Sequence, residues 1–142
     1  MFKSTQIGWA VIFIVLALMS VLAFTVNPLA IKISGLICVI IIVLCYKLTI
    51  TIDKQWIRFS MGIGLINGKY NMQNVLDCKA VEYLPLGWGV RFRPGKIIYN
   101  VSGNKALELT IKDKNMKVWI GTDDPETLVR IIREIKRKQR PI

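Results

Sequence analysis

From Ile7 to Val26 the chain runs IGWAVIFIVLALMSVLAFTV without a charged residue, and after Asn27-Pro28 a second apolar stretch, LAIKISGLICVIIIVLCY, extends from Leu29 to Tyr46. A charge-free run of about 20 residues, rising 1.5 Å per residue as a helix, matches a hydrocarbon core about 30 Å thick. Residues 1–46 therefore read as a two-helix transmembrane hairpin, with helices over about 7–26 and 29–46. Asn27-Pro28 supplies a turn former and then a residue without a backbone donor, which suits a tight connection at the headgroups.

Within the hairpin, Trp9 and Tyr46 fall at the same end and read as interfacial anchors. Lys32 lies one turn inside the second helix, where its long stem lets the ammonium snorkel to the headgroups. Ala30, Ser34 and Cys38 form a small-residue seam suited to packing on Ala10 and Ala17 of the first helix, or on another copy. Neither helix carries an acidic residue, and two helices are too few to enclose a polar pathway, so a transporter or channel made from one copy is not expected.

The basic residues set the orientation. Lys3 and the terminal amine flank the first helix and Lys47, Lys54 and Arg58 follow the second, whereas only Lys32 lies near the connecting turn. Both termini are thus expected on the cytoplasmic side of the cell membrane, in a two-pass arrangement. The first run is too long for a signal peptide and lacks a small-x-small cleavage site. Cys38 and Cys45 are seven residues apart on one helix, too far to bridge, and Cys78 stands alone, so a reducing compartment fits better than a disulfide framework.

Beyond Tyr46, residues 47–142 are long enough for one small domain. The chain has 20 Lys and Arg against 9 Asp and Glu, and every acidic residue and all basic ones except Lys3 and Lys32 lie in this part. Anionic lipid headgroups and nucleic acid are the polyanions such a balance suits, although topology and solubility alone also account for it. Tethering to a membrane argues against nucleic acid, despite the aromatic residues Trp88, Phe92 and Tyr99 among the basic ones.

Short β-rich runs follow, separated by turn residues. They are Lys47 to Asp53, Trp56 to Met61, Lys69 to Met72, Leu76 to Leu84, Trp88 to Phe92, Lys96 to Val101, Ala106 to Ile111 and Lys117 to Ile120. Asp53-Lys54, Asn67-Gly68, Arg93-Pro94-Gly95, Ser102-Gly103-Asn104 and Lys112 to Asn115 carry the turn chemistry of antiparallel hairpins. The glycines at 62, 64 and 68 superficially suggest a phosphate loop, but no helix pattern follows, so they read as a bulged or flexible connection.

Leu128, Ile131, Ile132 and Ile135 fall at i, i+3, i+4 and i+7 and predict an amphipathic helix, N-capped by Asp124 with Pro125 first, and ended by Pro141 after a run of basic residues. Its apolar stripe suits the open face of the strands; the alternative is the membrane interface.

Two strings now stand out: LPLGWGVRFRPGKIIYNV from Leu84 to Val101, with its Pro-Leu-Gly-Trp-Gly core, and VWIGTDDPETLVRII from Val118 to Ile132. Together with the element order, they resemble membrane-anchored bacterial pleckstrin-homology-like domain proteins. The resemblance covers residues 47 to 140 and implies an antiparallel β-barrel or sandwich of about seven strands capped by a C-terminal helix. It also implies a module for lipid binding, protein binding or assembly, so it leaves the activity open. Lys54 and Arg58 occupy roughly the region where eukaryotic relatives hold phosphoinositides, without the closely spaced basic cluster. Read physically, Gly87-Trp88-Gly89 and Ile120-Gly121-Thr122 shape strand ends.

The densest basic cluster is Arg91, Arg93 and Lys96. Arg91 and Arg93 share one face at period two, and Pro94-Gly95 turns the chain so that Lys96 converges on them, a set suited to a phosphate or an acidic partner. With no His and no paired Cys motif, nucleophilic triads and imidazole metal sites are excluded, and Asp123-Asp124 reads as capping. No catalytic residue, cofactor, metal or small-molecule substrate is expected. Asn100-Val101-Ser102 matches a glycosylation acceptor only by chance on the cytoplasmic side. The expectation is a non-enzymatic protein whose domain engages a protein partner or another copy at the cytoplasmic surface, the alternative being a sensor of anionic headgroups.

Overall fold

The β structure begins before the hairpin. In a computed structural model describing residues 1–25, 27–84, 88–112, 114 and 116–139, Phe2–Ile7 forms a strand, β1. It pairs antiparallel with β2 (Lys47–Ile52), from Phe2 opposite Ile52 to Ile7 opposite Lys47. The helices α1 (Trp9–Thr25) and α2 (Pro28–Cys45) stand between these two paired strands. Assigning residues 1–46 wholly to the hairpin is thus corrected at residues 2–7. A six-residue alternation abutting a longer apolar run has little signal of its own, and it becomes a strand because β2 offers it an edge.

The expected turn at Asn27-Pro28 is also a helix cap: Asn27 accepts from the Ala30 amide at 3.0 Å, with Pro28 in the first turn of α2. Val26 lies outside the described residues. Cys38 is buried against Val11 and Val15, with Met19 and Ile42 beside them, so the seam on α2 does face α1. The partner face on α1 is Val11-Val15-Met19 and not Ala10 and Ala17, the latter being exposed. Met19 Cε lies 3.4 Å from where a Cβ on Gly35 would stand, so the larger α1 side chains fill the space left by small ones on α2. α2 is long and apolar enough to cross a membrane, with 6% of it buried; α1 is a shorter apolar helix.

β3 (Trp56–Met61) and β4 (Ile66–Asn71) complete a four-stranded antiparallel sheet in the order β1-β2-β3-β4. After a short turn, β5 (Val75–Glu82), β6 (Gly89–Arg93), β7 (Lys96–Asn100), β8 (Lys105–Ile111) and β9 (Lys117–Gly121) form a five-stranded sheet ordered β5-β8-β9-β7-β6. All eight strand segments read from the sequence form strands; β1 raises the total to nine among the described residues, against about seven expected.

The sheets are not antiparallel throughout, because β7 and β9 run parallel. Ser102-Gly103-Asn104 closes no hairpin: β8 leaves β7 to pair with β5, and β9 takes the place beside β7. Asn67 and Gly68 lie inside β4, and the true turn is Gly62 to Leu65, with Gly62 and Gly64 at φ of 61° and 96°. Gly68 is required for another reason, since a Cβ there would strike the Phe59 ring packed over it. Of the β8–β9 turn, Asp113 and Asn115 lie outside the described residues.

The inner faces of both sheets meet in one core: Leu48, Ile50, Ile52, Ile57, Phe59 and Met61 against Leu107, Leu109, Val118 and Ile120. α3 (Pro125–Gln139) closes the open side with Leu128 and Ile132 fully buried and Ile131 and Ile135 half-buried, so its stripe belongs to the core. Asp124 Oδ1 accepts from the Thr127 amide at 3.1 Å, as expected of the N-cap. Arg133 Nη2 donates to the Cys78 carbonyl at 3.3 Å and Lys136 Nζ to that of Val75, so basic side chains of α3 occupy the free edge of β5. Arg140 and Pro141 lie outside the described residues.

The two ends of the sandwich differ. At the hairpin end, the Gly8 amide donates to the Tyr46 carbonyl at 2.8 Å and the Gly62 amide to that of Lys47 at 2.7 Å. Gln6, 3% exposed, donates to Asp123 Oδ1 at 2.7 Å. At the far end, Gln139 Nε2 donates to the Lys54 carbonyl and the Lys117 amide to that of Gly95 at 2.9 Å.

Candidate partner-binding surface

The β6–β7 hairpin turns through Pro94 and Gly95, where φ of 75° favours glycine. Arg93 stands directly opposite Lys96, and Arg91 opposite Ile98, so the three predicted residues share one face. That is the outer face of the five-stranded sheet. Register carries it inward across the strands: Lys96 lies beside Lys117, and Ile98 beside Trp119, which faces Glu108 on β8.

Trp119 is the hub of this face. Its Nε1 donates to Glu108 Oε2 at 2.6 Å, and Lys117 Nζ donates to Glu108 Oε1 at 3.1 Å. Lys96 Nζ sits 3.8 Å from the ring centroid, a cation–π distance, while the Tyr83 ring packs against the indole at 5.5 Å. Burial pushes the Tyr83 hydroxyl up to about 12, the Arg91 guanidinium acting in the opposite direction. Glu108 is 7% exposed and its carboxylate is ion-paired with Lys117, while Arg91 has its Nε and Nη2 buried, so Arg93 and Lys96 contribute most to the outward-facing positive charge of the patch.

Lys117, Trp119, Glu108 and Tyr83 were not singled out from the sequence. Alternation in Lys117-Val118-Trp119-Ile120 does place Lys117 and Trp119 on one face of β9. What sequence could not show is that β9, reached only after β8, lies beside β7.

A second charged feature is an open groove of about 740 Å³ between β5 and α3, where Lys79, Arg130, Arg133 and Arg137 alternate with Glu126 and Glu134. Mixed signs make it less selective for anions than the β6–β7 face. Of the expected anchors, Trp9 is exposed beside Phe13, with ring centroids 6.3 Å apart, at the first turn of α1. Tyr46 stands at the foot of α2 with Lys47 Nζ 5.0 Å from its ring, and Lys32 is exposed on the second turn of α2. Trp88 packs against the Val11, Val15 and Cys38 cluster of the hairpin, while Gly87 lies outside the described residues.

Asn100, in the glycosylation-like triplet, is fully buried and shapes its turn, accepting from the Ser102 amide at 3.2 Å. Cys78 is buried, and that burial pushes its thiol up. Among the described residues, no three of His, Cys, Asp or Glu gather as a metal site.

Comparison with protein-family models, with curated proteins and with solved structures finds no match. The chain is therefore defined by architecture: a two-helix hairpin set between the first two strands of a two-sheet, helix-closed domain.

Proposed function

We propose that the chain is a membrane-anchored, non-enzymatic module of pleckstrin-homology-like kind that engages an acidic protein partner at the cytoplasmic surface. In this reading α1 and α2 both cross the cell membrane and both termini are cytoplasmic. The observation that carries it is the location of the basic face. The Arg93–Lys96 turn lies at the end of the sandwich away from the hairpin, with the length of β7 between them. Five residues at about 3.3 Å each give roughly 16 Å, well beyond a Debye length of about 8 Å at physiological salt.

A basic face so far from its own bilayer is poorly situated to read headgroups there, and well situated to meet a cytoplasmic protein. A chain of net charge +11 repels a second copy approaching basic face first, which favours an acidic partner over self-assembly through this patch. The pleckstrin-homology-like assignment rests on the two sequence strings and on the helix closing two packed sheets.

Carbodiimide crosslinking of the full chain in native membranes, which joins lysine amines directly to carboxylates, tests the reading. The Lys96 and Lys117 amines are expected to form amide bonds to activated carboxylates of a second protein, and the Arg93→Glu variant, which keeps both amines, to lose most of those links. Unchanged crosslinks in the variant would refute it. Capture of added phosphatidylglycerol vesicles by the reconstituted chain, lost in the same variant, would instead support headgroup binding.

A further inference from the structure

Turns between antiparallel strands are normally polar, yet the β3–β4 turn reads Gly62-Ile63-Gly64-Leu65. Ile63 is 62% exposed and Leu65 70%. This turn is held against the foot of α2: the Gly62 amide donates to the Lys47 carbonyl at 2.7 Å, and a Cβ on Gly62 would strike the carbonyl oxygens of Val43 and Leu44. The two exposed apolar side chains are thus continuous with the apolar surface of the hairpin.

On the β5–β6 connection, Trp88 packs on Val11, Val15 and Cys38, one to two turns up the helices from the strands. With Trp9 and Tyr46 it forms an aromatic set around the hairpin's foot, the composition expected at a bilayer interface.

We infer that the β3–β4 turn is itself a membrane contact: Ile63 and Leu65 insert into the lipid interface beside α2. The inference rests on the hairpin lying in a bilayer, as in the reading above, and adds what that reading lacks, a fixed attitude of the domain. The occupant is lipid, because the turn adjoins the last turn of the membrane-spanning helix and carries no charged group to meet a protein. Two helix feet set close together could act as a swivel. An inserted turn to one side of them, with Trp88 packed on the hairpin, prevents tilting and keeps the far-end basic face pointing away from the membrane.

The test uses the full chain in phosphatidylcholine–phosphatidylglycerol vesicles, with a photoreactive diazirine residue introduced singly at positions 63, 40 and 54. Lipid adducts identified by mass spectrometry are expected at 63, at 40 on α2, and not at 54 in the far-end β2–β3 turn. Adducts at 40 without adducts at 63 would overturn the inference and leave the anchored reading intact. Absence of adducts at 40 would overturn the anchored reading, and the inference with it. Adducts at 54 as strong as those at 63 would show a domain lying on its side and would refute the fixed attitude.

Discussion

Gly62 and Gly64 offer a matched pair for measuring how firmly the domain is joined to the hairpin. Both have positive φ, so an alanine at either position adopts a backbone that costs roughly 1–2 kcal/mol. Around Gly64 nothing lies within 4 Å of the added Cβ, whereas at Gly62 it strikes two backbone carbonyls, those of Val43 and Leu44. Backbone cannot rotate away as a flexible side chain can, and relieving such overpacking costs a further ~1–3 kcal/mol. Gly64→Ala should therefore lose about 1–2 kcal/mol, and Gly62→Ala about 2–5 kcal/mol. For a domain of this size each kcal/mol is worth roughly 4–8 °C in Tm. Heating the detergent-solubilised chain while following near-ultraviolet dichroism, to which Trp56 and Trp119 of the domain contribute alongside the packed Phe59, Tyr70 and Tyr99 rings, reads the unfolding of the domain. If the two variants unfold within about 0.5 kcal/mol of each other, the junction is not a packed one and the rigid coupling is wrong.

Glu108→Ala should cost about 1.5–3 kcal/mol in urea denaturation, because it strips the acceptor from Trp119 Nε1, and Glu108→Gln, which keeps an acceptor, should cost less. Tyr70 and Tyr83 are both pushed up to about 12, chiefly by burial. Between pH 10 and 12 the unfolded state releases protons that the native state retains, so stability should fall across that window and hold below it; tyrosinate absorbance preceding any loss of structure would contradict this. Residues 47–142 expressed alone lack β1, and the bare edge of β2 should make them aggregate; replacing residues 8–46 by an Asn-Gly turn should give a soluble monomer. A monodisperse 47–142 fragment, as stable as the turn-closed form, would refute that.

The parts of the fold legible in the sequence are those with local causes. Asn27-Pro28 and Asp124-Pro125 mark helix starts through caps that involve only their neighbours. Leu128, Ile131, Ile132 and Ile135 show the buried stripe of α3 by spacing alone. Phe2 to Ile7 was illegible because its strand character comes from β2, far along the chain. The placing of β9 was illegible for the same reason, and with it the assembly of Trp119, Lys117 and Glu108 around Lys96. Asn67-Gly68 misled because glycine signals a turn by default, while here it makes room for the Phe59 ring.

The insertion of the hairpin between β1 and β2 also couples pairing of the two helices to domain closure. Joining these strands through a disordered segment from Gly8 to Tyr46 would cost about 2–3 kcal/mol more than through a two-residue turn, by the slow growth of loop-closure entropy with length. Once α1 and α2 pack antiparallel through Val11, Val15 and Cys38, their feet are adjacent and that cost has been met by the helix pair. The strand β1 then docks with its full register, and Gln6 reaches Asp123 and Ser4 reaches Thr122 across the opening between the sheets. A hairpin that failed to form would leave those partners, and the β2 edge, uncovered. Formation of the apolar helix pair and completion of the domain that carries the basic face are thus linked through one short strand.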